Sequence, residues 1–469
     1  MPLTVTVAFV VTQGLAQAVT PFIRQDDWSF LLPDHSPGAI GPSYYNISEG
    51  RWLNTGYWWL VGQHGTPTTA ALTYAVGYAL FVAGAWRVLH LAGIRPRPVV
   101  DVLLGVALFA SCVWVQLLYW PGALTPSVLV AAASIWLLPW AVRSRRRLAA
   151  WVLVSEVAAV LTYPPVGVVL LVLAVVLLRE APWRRVVAVV GAWLASMVVG
   201  VAVAAALNGI VNHHFGLRLA SWRKPNPLTS LAALGENTSR WLDTIGPLWS
   251  TQWWVAAVGV VAAVVGWRDR RVRARLQRLL IPFAAAIAID AAQTLATGTV
   301  TEARGQLWTW LVAVLPVALL LLGRGETATD QPDRRVRPHR RIAPALLAVL
   351  AVAGVLSWRG DIGAHQATRA QYAAIAERAT AQLPGNIAPT VVVYQDPGVK
   401  PSRNGKVMAS TMFMAVRQVQ GGLVPQWCHG AECADLVERP PGSVVRLIDD
   451  FGQPTDVVGV VVPTPPAWL

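Results

Sequence analysis

Apolar residues in this chain run in long blocks. Stretches near 68–89, 98–119, 125–142, 148–162, 164–178, 186–207, 252–267, 279–296, 306–322 and 342–357 carry almost no charge. A further apolar stretch, Leu3 to Ala18, opens the chain. A bilayer core needs about 20 apolar residues of helix, so the blocks predict about eleven membrane-spanning helices. Two of the polar stretches between them are long, 23–66 and 208–250. The second mixes Trp, Pro and Leu, which predicts short helices lying in the membrane interface.

After Trp358 the pattern changes. Ala367 to Leu383 predicts one amphipathic helix. Val391 to Tyr394, Val444 to Ile448 and Val457 to Val462 predict strands bounded by Pro and Gly. The expected fold class is an all-α polytopic membrane protein over residues 1–358, followed by a small α+β extracytoplasmic domain over 359–469.

Composition supports the membrane reading. Of 469 residues, 55% are hydrophobic and 13% are charged, where a soluble protein carries about 25% charged residues. The formal charge of +14 is compatible with nucleic-acid binding when taken alone. Its distribution argues otherwise. Arginines cluster between apolar blocks: Arg143 and Arg145 to Arg147, then Arg179, Arg184 and Arg185, then six between 268 and 278 and six between 323 and 341. With a cytoplasmic N-terminus every dense cluster lands inside, as the positive-inside rule requires. The stretches 23–66 and 208–250 and the C-terminus then lie outside. Ala16-Gln17-Ala18 resembles a signal-peptidase site, but no basic residue precedes the first apolar stretch, which favours an uncleaved helix. Trp58, Trp59, Trp120, Trp249, Trp253 and Trp254 fall near predicted outer boundaries, where an aromatic belt belongs.

Cys428 and Cys433 stand five apart in the polar C-terminal segment. A small disulfide loop suits an extracytoplasmic segment better than a metal site, for which His429 is too few further ligands. Adjacent His213 and His214 do not share one face and predict no metal pair. No cofactor is predicted, and a divalent metal stays open. There is no Walker loop, no Gly-rich dinucleotide turn after a strand and no HExxH. Asn46-Ile47-Ser48 and Asn237-Thr238-Ser239 match a glycosylation acceptor by pattern only.

Charges predicted to lie outside are few. Arg24, Asp26 and Asp27 open the first outer stretch directly after an apolar block. Two adjacent carboxylates repel each other, and a carboxylate placed beside aromatics can serve as a general base. Glu49-Gly50-Arg51-Trp52 follows, then Tyr57, Trp58 and Trp59. Glu156 and Asp290 fall inside apolar blocks and call for partners or a transport role.

A helix, an Asp-Asp pair at the start of the first outer loop, then Glu49-Gly50-Arg51-Trp52 and a run of aromatics resemble the GT-C glycosyltransferases. The arrangement is similar to the bacterial glucosyltransferase family II, which modifies surface glycans. Tyr163-Pro164-Pro165 and Glu302-Ala303-Arg304 add to the resemblance, which covers roughly residues 1–360. It implies transfer of a sugar from a polyprenyl-phosphate donor to an envelope glycan or glycolipid, on the outer face of the plasma membrane. Asp26 or Asp27 would be the base. Arg304, then Arg51, then Arg24 would hold the donor phosphate. Trp28, Glu49, Trp52 and Tyr163 would contact sugar or acceptor. The alternative is a lipid or glycolipid transporter or flippase, using Glu156 or Asp290.

Overall fold

The computed structural model of the chain describes residues 3–5, 7, 8, 12, 27, 46, 47, 49–61, 67–109, 114, 117–217, 224–251, 253–302, 305–322, 339–382, 390–395, 412, 416, 426–428, 434–449 and 451–464. They divide into two compact units. The first takes the described residues of 1–19, 42–62 and 68–361, and the second takes those of 20–41, 63–67 and 362–469.

The first unit is a helix bundle. Its elements are α1 (Trp52–Val61), α2 (Pro67–Leu91), α3 (Pro98–Phe109), α4 (Pro121–Ala141), α5 (Arg145–Val160), α6 (Pro165–Leu177), α7 (Trp183–Asn212), α8 (Leu231–Thr251), α9 (Trp253–Trp267), α10 (Arg270–Thr297), α11 (Leu307–Leu319) and the first half of α12 (His339–Ala381). Starts and stops follow local chemistry. Helices α2, α3, α4 and α6 each begin on a proline, whose fixed φ suits the first turn. Ser144 caps α5 by accepting from Arg147 N at 3.2 Å, and Asp269 caps α10 by accepting from Arg271 N at 2.8 Å.

Among the described residues, five helices are long and apolar enough to cross a bilayer: Thr68–Leu91, Pro121–Ala141, Trp183–Asn212, Arg270–Thr297 and the run Ile342–Ala381. The chain is a multi-pass helical membrane protein. The expectation of about eleven spans is overturned. Helices α3, α6, α9 and α11 are apolar but only 12, 13, 15 and 13 residues long, which is about 18–22 Å of rise against a core of roughly 30 Å. Helix α5 has 16 residues and opens with three arginines. The block at 3–18 lies largely outside the described residues.

Burial gives the physical reason. Helix α11 is buried at eleven of its thirteen positions and α6 at ten of thirteen. An all-round apolar helix is what a protein interior demands, and here the surrounding medium is protein. Helix α7 has the opposite environment, with Val187, Val198, Val199, Val201 and Ile210 exposed along its length. Small residues let the helices approach. A Cβ on Gly259 of α9 would meet the Ala313 backbone of α11 at 2.9 Å, and one on Gly200 of α7 would meet Val160 of α5 at 2.8 Å.

The bundle has two chemically distinct ends. Turns near 46–51, 161–164, 208–217 and 301–306 lie at one end. The arginine-bearing turns near 92–97, 142–147, 178–185 and 268–271 lie at the other, where Ile94 also forms a β-bridge with Leu322.

Among the described residues of the second unit, four strands form an open sheet: β1 (Thr390–Tyr394), β2 (Gln426–Trp427), β3 (Val444–Ile448) and β4 (Pro454–Val461), in the order β2-β1-β4-β3. β1 runs parallel to β2 and β4, while β3 and β4 are antiparallel. Val391, Val392 and Val393 are all buried, so the apolar run in β1 reflects a sheet covered on both faces. On one face Tyr372, Ile375, Ala376 and Ala379 of α12 pack against Val391, Val458 and Val460. On the other, Leu436 of α13 (Ala434–Val437), Leu447 and Val461 form a second cluster, with Cys428 against it. Cys428 is disulfide-bonded, and its expected partner Cys433 lies outside the described residues.

Two sequence expectations change here. The amphipathic helix 367–383 is not separate, because α12 runs unbroken for 43 residues through Trp358. Among the described residues of 208–250, the segment from Leu231 forms one 21-residue helix, α8, where short helices were expected.

Candidate functional site

At the arginine-poor end of the first unit, the chain turns sharply before α1. Gly50 N donates to Ile47 O at 3.0 Å, and Arg51 N donates to Asn46 O at 2.7 Å. The turn requires φ +78° at Gly50, and a Cβ there would lie 2.6 Å from Leu217 Cδ2. Glycine therefore satisfies both the backbone and the space. The turn sets Glu49 and Arg51 side by side. Arg51 Nη2 lies 2.7 Å from Glu49 Oε2, with side chains 15% and 9% exposed. The guanidinium sits 5.9 Å from the ring centre of Tyr163, which comes from the α5–α6 turn.

Neighbouring polar groups lock this arrangement. Trp52 Nε1 donates to Asn208 Oδ1 at 3.0 Å, and Asn208 Nδ2 donates to Gly216 O at 2.7 Å. Leu53 N donates to Leu161 O at 3.1 Å, tying α1 to the end of α5. Asn54 Nδ2 donates to Ala123 O at 3.1 Å. On the far side of Tyr163, its hydroxyl would stand 3.5 Å from a Cβ at Gly305. Gln306 there is fully buried and donates to Thr301 O at 3.2 Å. Among the described residues, Asn46 Nδ2, Asn54 Oδ1 and Gln306 Oε1 are buried without a hydrogen-bond partner. Such orphaned atoms are rare in a folded interior and mark places suited to a polar ligand. Tyr57 is half-buried on α1, where loss of water raises its phenol pKa and keeps it a neutral donor.

Of the residues nominated from sequence, Glu49, Arg51, Trp52 and Tyr163 share this site. Asp27 is fully buried and belongs to the second unit. Arg24, Asp26, Trp28 and Arg304 lie outside the described residues. Asn46, Asn54, Asn208 and Gln306 were not singled out for the site. Their signal, an amide at a helix boundary, is too common to stand out before the turns are brought together.

The carboxylates within the helices have their own partners. Asp290 Oδ2 accepts from Trp241 Nε1 at 2.9 Å. Glu156 Oε2 accepts from Trp193 Nε1. Asp101 Oδ2 accepts from Trp86 Nε1 at 3.2 Å and lies 3.1 Å from His90 Nε2. Among the described residues no three His, Cys, Asp or Glu side chains cluster as a metal site. Of the predicted aromatic belt, Trp59 and Trp253 are exposed, whereas Trp58 and Trp120 are buried in the protein.

No family model, curated protein or solved structure matches this chain. The resemblance to GT-C glycosyltransferases implied an extensive multi-span bundle. Only five candidate spans among the described residues contradict that architecture, and the assignment falls.

Proposed function

We propose that this membrane protein transfers a sugar from a polyprenyl-phosphate carrier to an envelope glycan or glycolipid on the extracytoplasmic face. One observation carries the reading: a Glu49–Arg51 ion pair set on the ring of Tyr163 at the arginine-poor end of the bundle. A guanidinium at such a boundary suits a phosphate whose lipid stays in the bilayer. Glu49 orients it, and Trp52 and Tyr163 offer aromatic surface to a sugar ring. Orphaned amides nearby suit sugar hydroxyls. Sidedness is supported by the arginine-bearing turns at the opposite end and by the disulfide at Cys428, which favours an oxidising compartment for the C-terminal unit.

In this reading a carboxylate takes the proton of the acceptor hydroxyl, a role for which the sequence nominates Asp26 or Asp27. The acceptor oxygen bonds to the anomeric carbon. The bond from that carbon to the carrier phosphate breaks, and the phosphate leaves with the electron pair, its charge countered by arginine. The test uses membranes containing the full chain and a radiolabelled polyprenyl-phosphate sugar. Asp26→Asn and Asp27→Asn are assayed singly, beside Arg51→Gln. Loss of transfer in Arg51→Gln and in one aspartate variant, at unchanged abundance, supports the reading. Full transfer in all three overturns it.

One observation favours a second reading, movement of a lipid or glycolipid. Glu156 is buried within the bundle with Oε1 unpartnered. Under that reading Glu156→Gln abolishes movement of a fluorescent lipid across vesicles and no transfer product forms.

A further inference from the structure

The opposite end of the bundle holds a second cluster of charge. Arg275 and Arg278 stand one turn apart on α10. Arg275 Nη1 donates to Ala92 O at 2.7 Å, and Arg278 Nη1 donates to Arg179 O. Gly93, in the same turn as Ala92, has φ +89°, and a Cβ there would lie 3.3 Å from Arg179 Nη1. The guanidinium groups of Arg275 and Arg179 thereby meet at this turn, and that of Arg278 is held on the backbone of Arg179. Backbone carbonyls hold two of them, and each of those groups keeps further N–H donors for another acceptor.

Their charge is poorly balanced. Arg275 feels Arg179, Arg278 and Arg271, against a single acid, Glu180. Glu180 is 84% exposed and lies 3.4 Å from Arg179 Nε. Among the described residues neither Arg275 nor Arg278 has a carboxylate within ion-pair distance. Like charges fixed together at a partly buried place repel one another, and a bound anion removes that cost. Position indicates which anion. The first turns of α10 carry Arg270, Arg271, Arg273, Arg275 and Arg278, and the helix turns apolar from Leu279. The cluster therefore sits where a membrane helix enters the bilayer, at headgroup depth.

We infer that Arg179, Arg275 and Arg278 form a phosphate-binding site at the arginine-rich end of the bundle, suited to a phospholipid headgroup. Guanidinium groups engage phosphate oxygens in pairs, and the carbonyl anchors set their orientation beforehand. This site is separate from the one containing Arg51 and does not depend on the transferase reading.

The test is thermal unfolding of the delipidated full chain in uncharged detergent. Phosphatidylglycerol, phosphatidylcholine or inorganic phosphate is added in parallel. Phosphatidylglycerol should raise the unfolding midpoint while phosphatidylcholine leaves it in place. Arg179→Gln, a change at an exposed side chain, and the double variant Arg275→Gln/Arg278→Gln should each lose at least half of that rise. Arg146→Gln, an exposed arginine in the first turn of α5, should keep it whole. A rise with phosphatidylglycerol alone identifies a lipid headgroup as the source. An equal rise with inorganic phosphate identifies a free anion. No rise with either, or an undiminished rise in the Arg179→Gln variant, overturns the proposal. If the double variant fails to fold, retention of phosphatidylglycerol by Arg179→Gln in native mass spectrometry decides: retention equal to wild type overturns it, and loss supports it.

Discussion

Trp193 on α7 donates its indole N–H to Oε2 of Glu156 on α5, deep in the first unit. Gly167 on α6 completes the arrangement by leaving room for the carboxyl, since a Cβ there would fall 2.0 Å from Glu156 Oε2. Three helices thus meet at one acid. Trp86 with Asp101 and Trp241 with Asp290 repeat the pairing. An indole is an apolar body with one donor, so it can satisfy a buried oxygen without adding charge.

Removing the donor should cost more than exchanging the carboxyl for an amide. Trp193→Phe leaves the Glu156 carboxyl buried with no partner, a loss of roughly 1–3 kcal/mol. Glu156→Gln keeps an oxygen for the indole and should unfold near wild type. The double change Glu156→Leu/Trp193→Phe should recover most of the loss, because both polar groups leave together. Thermal unfolding in detergent measures all three. Equal losses in Trp193→Phe and Glu156→Gln would show that the carboxyl itself, not the indole hydrogen bond, matters.

Gly50 combines a left-handed φ with a side chain packed directly over it. Gly50→Ala should therefore destabilise the 46–51 turn by about 1–3 kcal/mol. The partnered change Gly50→Ala/Leu217→Ala relieves the clash and leaves the backbone strain. It should recover only part of the stability. Complete recovery in the pair would assign the whole effect to the clash.

Much of the secondary structure was legible in the sequence, while the environment of each helix was not. The strands at Val391 and Val444 announce themselves by β-branched runs between turn residues, and local chemistry suffices to place them. Hydropathy, however, reports only that a helix avoids water. The interior of α11 and the exposed face of α7 look alike in sequence, because protein and lipid are equally dry. Counting apolar blocks therefore multiplied the spans. Likewise α12 continues past Trp358 because 359–366 contains no proline to end it, and the change from apolar to amphipathic is not a break in the backbone. At the candidate site, Glu49 and Arg51 could be paired from their spacing. Asn208 and Gln306 could not, since they arrive from 157 and 255 residues beyond Arg51.

The pairing of Trp52 with Asn208 joins α1 to α7 beside the Arg51 ion pair. Asn208→Ala removes one hydrogen bond to the indole and one to Gly216 O, a loss of about 1–2 kcal/mol in total. If α1 positions Arg51 for a ligand, this variant should also weaken donor binding, seen as a higher KM with kcat little changed. Asn208→Asp preserves the acceptor and should rescue the KM. A stability loss with unaltered KM would confine Asn208 to a structural role.

Two of the contacts of Arg51, the ion pair with Glu49 and the stacking of its flat guanidinium on Tyr163, can be separated. Arg51→Lys keeps the charge but loses the planar fork, so it should retain the partner yet bind a phosphate less well. Tyr163→Phe keeps the ring face and should leave Arg51 in place, whereas Tyr163→Leu removes the cation–π contact, worth about 0.5–1 kcal/mol at a partly exposed site. Glu49→Gln frees the guanidinium from its carboxylate. If Glu49 only orients Arg51, transfer should fall in this variant. If Glu49 competes with the incoming phosphate, donor affinity should rise instead. Measuring KM for the lipid-phosphate sugar across these four variants orders the contributions. Equal KM values in Arg51→Lys and wild type would remove Arg51 from the phosphate site.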